Sequence, residues 1–95
     1  RLGAPHAMDV PFTFNTLDLT NATGGGPDAQ ALADTMSSVW AAFARTGQPD
    51  HPSIPPWPAY DADRRATLVL DTACRIDNDP RGEERRLWQD ITGTL

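Results

Sequence analysis

An α/β architecture that is incomplete on its own is what this sequence predicts, and three observations carry that prediction. Thr67-Leu68-Val69-Leu70-Asp71 is a lone short strand pattern whose apolar centre asks for burial on both faces. Residues 28–46 form an amphipathic helix whose apolar stripe is wider than one small partner helix can cover. Leu, Ile, Val and Phe number 17 of 95 residues, about 18%, just under the roughly 20% below which chains struggle to build a core.

The elements follow in chain order. Residues 1–28 are punctuated by Gly3, Pro5 and Pro11 and closed by Thr23-Gly24-Gly25-Gly26-Pro27, a flexible linker. Val10, Phe12 and Phe14 alternate, yet Asp9, Phe12 and Leu17 also suit helical turns, so the stretch reads as a loop or a turn followed by a short helix. From Asp28, apolar residues at 32, 36, 39, 40 and 43 share one helical face; Pro27 or Asp28 starts the helix, Arg45 suits its last turn, and Gly47 with Pro49 stops it. Residues 47–63 hold five prolines around Trp57 and Tyr60 and cannot be helix or central strand, because proline removes the donors both need. After the 67–71 strand, Pro80 opens a helix with solvated pairs among Arg81, Glu83, Glu84, Arg85 and Arg86, and Leu87, Trp88 and Ile91 form its expected buried side. One strand makes no sheet, so the missing partners are expected elsewhere.

Composition excludes several functions. Thirteen acidic residues against eight arginines and no lysine give a net charge of −5, which disfavours a sequence-blind grip on phosphates and hence nucleic acid. No apolar run approaches the ~20 residues of a membrane span, and the N-terminal residues carry neither a basic region nor an apolar signal core. Compartment stays open between cytoplasmic and secreted. The lone Cys74 forms no internal disulfide.

His6 stands in Gly3-Ala4-Pro5-His6-Ala7-Met8-Asp9, a small-residue loop that leaves an imidazole reachable with a carboxylate three positions on. A single histidine is more often structural than catalytic, and the residues alone leave both readings standing. His6-x-x-Asp9 supplies at most two metal ligands and His51 sits in a turn between Asp50 and Pro52, so no metal and no cofactor are expected. Ser37, Ser38 and Ser53 lie in no Gly-x-Ser-x-Gly setting and none reads as a nucleophile. Gly24-Gly25-Gly26 lacks the GK[ST] ending of a phosphate loop. Trp40, Trp57, Tyr60 and Trp88 are expected to pack rather than to form a ligand platform.

Taken in order, Gly3 to Phe14, then Met36-x3-Trp40-x2-Phe43-Ala44-Arg45-Thr46-Gly47-Gln48-Pro49, then Trp57-Pro58-x-Tyr60-Asp61, resemble the C-terminal part of type-B carboxylesterases. That group includes the para-nitrobenzyl esterases and cholinesterases. The resemblance spans residues 3–90 and implies that 1–95 are the C-terminal segment of an α/β-hydrolase domain, with no complete independent domain. It places His6 at the family's catalytic histidine, the general base that takes a serine proton and returns it to the leaving alcohol. Asp9 matches a supporting glutamate, with a shorter side chain. Triad order in this fold is Ser, then Asp/Glu, then His, so the serine, the acid and the oxyanion hole are expected from the remainder of the esterase chain. The substrate implied is a small carboxylic ester. Alone, the chain is expected to be inactive and to cover its open strand edge with a second copy as a homodimer. The competing reading is a cholinesterase-like binding or adhesion domain that keeps the scaffold without the serine.

Overall fold

The computed structural model describes residues 4–20 and 24–93. In order these form a short helix α1 (Val10–Thr13), a 3-10 turn (Leu17–Leu19), the long helix α2 (Pro27–Thr46), strands β1 (Ala66–Val69) and β2 (Arg75–Asn78), and helix α3 (Gly82–Thr92).

The start of α2 is set by Pro27 in its first turn and by the Gly26 carbonyl, which accepts the Gln30 N–H at 3.0 Å. It stops at Gly47, whose φ of 78° and 2.8 Å bond to the Phe43 carbonyl make a left-handed cap. Both ends match the sequence reading. The buried face is narrower than the expected stripe: it runs through Ala33, Met36, Val39 and Ala42, while Trp40 is 56% and Phe43 50% exposed. α1 and the 3-10 turn pack on α2, with Leu17 buried. Seating Met36 and Val39 is worth about 1.5–3 kcal/mol each.

Residues 47–65 are irregular, as the prolines require. Two contacts pin them. Ile54 is buried, and the Trp57 indole N–H donates to the Ala66 carbonyl at 3.2 Å, tying the loop to the root of β1. Asp61 Oδ1 accepts the N–H groups of Asp63 and Arg64 at 2.9 and 2.7 Å, which turns the chain into the strand.

A second strand corrects the single-strand expectation. β2 pairs antiparallel with β1 in the register Ala66 to Asn78, Thr67 to Asp77, Leu68 to Ile76 and Val69 to Arg75. Arg-Ile-Asp-Asn carries one apolar residue in four, so no local signal marks it as strand; pairing decides. Among the described residues the far edge of β1 has no partner. Between α2 and β1 lies an apolar cavity of about 270 Å³ lined by Met36, Val39, Trp40, Phe43, Pro49, Trp57, Leu68 and Leu70.

The expected buried side of α3 is a second correction. Leu87, Trp88 and Ile91 are between 57% and 64% exposed, because α3 packs on no other described helix or strand. It is held by ions instead. Arg85 clasps Asp79 with Nε to Oδ1 at 2.8 Å and Nη2 to Oδ2 at 3.1 Å, and Arg81 forks onto Glu84. The hydrogen bond from Arg85 holds the Asp79 carboxyl below the usual carboxylate range, opposed by partial burial. Gly82 makes room, since a Cβ there would collide with the Asp79 carboxylate.

A depressed folded-state value means that the Asp79 contribution is present above the unfolded carboxylate value and lost as pH falls through the folded one. Acidification is therefore expected to loosen α3, read as a lower amide-exchange protection factor at Arg85 and Arg86 once the intrinsic pH dependence of exchange is divided out, and Gly82→Ala should produce the same loosening at neutral pH. Protection of α3 that is unchanged by both would show that the pair does not hold it.

Candidate functional site

His6 is exposed and sits at the head of the turn 6–9. Ala7 takes φ 66°, a left-handed value uncommon for alanine, and its carbonyl accepts the Val10 N–H at 3.3 Å. The Asp9 carbonyl then accepts from Phe12 and Thr13 N–H, both at 3.0 Å, and α1 begins with Pro11 in its first turn. The result is a tight bend that lifts residue 6 off the helix behind it. Among the described residues no hydrogen bond or ion pair reaches the His6 imidazole, which leaves both ring nitrogens open to groups from elsewhere. Asp9 lies in the same turn with an exposed side chain that makes no capping bond.

His51 is built differently. Its Nδ1 lies 2.6 Å from Ser53 Oγ and accepts the Ser53 N–H at 3.1 Å, while its carbonyl accepts the Ile54 N–H. An Nδ1 that accepts a main-chain N–H carries no proton, so the Ser53 hydroxyl donates to it as well. This imidazole ties a proline-flanked turn. Ser37 donates to the Asp34 carbonyl on α2. A reachable imidazole is thus present in His6, and the hydroxyls of Ser37 and Ser53 are engaged in local bonds.

A cluster that the sequence reading passed over lies behind the His6 turn. Asn15, at φ 54°, donates from Nδ2 to Asp34 Oδ1 at 3.0 Å, and its Oδ1 accepts from Gln30 Nε2 at 2.8 Å. Gln30 Nε2 also donates to Asp34 Oδ1 at 2.9 Å, which closes a triangle. The available signal was an i,i+4 Gln/Asp pair on the polar face of α2 and an Asn at the end of α1.

Comparison with known proteins gives one consistent answer. Residues 1–88 match the profile of the Carboxylesterase family. The chain is 37% identical over 84 residues to the para-nitrobenzyl esterase of Bacillus subtilis, covering 85% of this chain and 17% of that protein. It is 40% identical over 74 residues to the phenmedipham hydrolase of Pseudarthrobacter oxydans, covering 73% and 15%. The solved carboxylesterase of Geobacillus stearothermophilus at pH 6.2 superposes with a TM-score of 0.79 at 39% identity, over 94% of this chain and 19% of that one. The chain therefore spans about a sixth of the length of these curated relatives.

Proposed function

The chain belongs to the carboxylesterase family and folds as a segment of an α/β-hydrolase, and on that premise we propose that residues 1–95 are the C-terminal, histidine-bearing segment of a serine carboxylesterase. The observation that carries the reading is the His6 imidazole, exposed on a tight turn with no partner among the described residues. A general base needs that freedom: one ring nitrogen faces the nucleophile and the other an orienting acid.

In this reading the remainder of the esterase chain supplies the serine, the acid and the oxyanion hole. His6 takes the serine Oγ proton as Oγ adds to the ester carbonyl. The resulting imidazolium gives that proton to the leaving alcohol as the C–O bond breaks, and the acyl group remains on Oγ. Water then repeats the cycle, losing a proton to His6 while the carboxylic acid departs and the proton returns to Oγ. The apolar cavity between α2 and β1 and the bare side of α3 are surfaces for that remainder to cover.

The test uses the full-length chain. It is expected to hydrolyse p-nitrophenyl and para-nitrobenzyl acetates with saturation, and a fluorophosphonate should bind one equivalent and abolish turnover. A parent that neither turns over nor takes up the fluorophosphonate overturns the esterase reading and leaves a binding domain on the same scaffold.

A further inference from the structure

We propose that Asn15, held by Gln30 and Asp34, is a positioning residue for His6, a role that rests on the reading of His6 as the base. The need for such a device follows from the size of α1. Four residues are far below the ~12–15 at which a helix persists unaided, so α1 and the turn ahead of it take their orientation from contacts with α2. Leu17 supplies the apolar part of that contact and fixes depth, since its side chain is buried. Apolar contact has no direction. The side-chain amide of Asn15 does, because its donor and its acceptor are both engaged, by two residues one turn apart on α2. Asp34 adds charge to the geometry: one carboxylate oxygen receives both amide donors.

The anchor is linked to the imidazole by an unbroken ladder of main-chain bonds. Thr16 N–H reaches Pro11, Asn15 reaches Phe12, Phe14 reaches Val10, Thr13 and Phe12 reach Asp9, and Val10 reaches Ala7. A tilt at Asn15 is therefore carried to the residue next to His6 rather than absorbed on the way. An error of about 1 Å at a reacting group costs on the order of 100-fold in rate.

Asn15→Gly gives a clean test, because glycine accepts φ 54° without strain and only the amide is lost. In the full-length esterase, kcat per active site titrated by fluorophosphonate is expected to fall about 10- to 100-fold with KM within about twofold, and the rate of fluorophosphonate capture should fall in parallel. Asp34→Ala should show the same loss, Asp34→Asn, which keeps an acceptor oxygen, should recover most of it, and Asn15→Gly with Asp34→Ala should be no worse than either alone. Unchanged kcat per titrated site in Asn15→Gly, with or without a lowered Tm, overturns the proposal while leaving the esterase reading intact. Full activity in His6→Ala would instead remove the reading on which it rests.

Discussion

His6→Ala in the full-length esterase is expected to lower kcat by roughly ten-thousand-fold or more, while His51→Ala leaves kcat within about twofold, measured on p-nitrophenyl acetate with active sites counted separately. The contrast comes from what each ring already does. His6 is exposed on a bend with no partner among the described residues, so its nitrogens are available for proton transfer. His51 has committed Nδ1 to the main chain and hydroxyl of Ser53, and losing it costs a turn that Ile54 still anchors. Equal losses at the two positions would end the case for His6.

The 95-residue polypeptide alone is expected to hydrolyse p-nitrophenyl acetate no faster than free imidazole at equal concentration. A base removes a proton but forms no acyl intermediate without an activated alcohol, and carbonyl addition without oriented donors for the oxyanion forgoes the largest electrostatic contribution to this chemistry. Saturable turnover by this polypeptide, blocked by a serine-directed inhibitor, would contradict the division of labour proposed for the two parts of the esterase.

How far the sequence announces the structure depends on where each signal resides. α2 is legible at both ends because proline and glycine act locally: Pro27 fits only a first turn, and Gly47 accepts the left-handed φ that ends the helix. The irregular 47–63 stretch is legible for the same reason. β2 is not, because Arg75 to Asn78 becomes a strand through its register with Ala66 to Val69, a contact the local composition does not encode. Leu87, Trp88 and Ile91 form the apolar side that the pattern implies, but a pattern says which face wants cover and not whether this chain provides it. At the site, the small residues around His6 announce a reachable ring. Asn15, Gln30 and Asp34 are ordinary surface residues until the fold brings positions 15 and 19 residues apart into one triangle.

The rim of β1 that no described strand matches makes the surroundings of this polypeptide decisive. Beyond the Ala66 carbonyl, which Trp57 occupies, that edge lies beside an oily trough and can take an added strand, so in the reading proposed above the remainder of the esterase would compete there with further copies of the same segment. On that reading, productive assembly and clumping would be separated by concentration and timing, and a host that made the two parts apart would need the companion in excess.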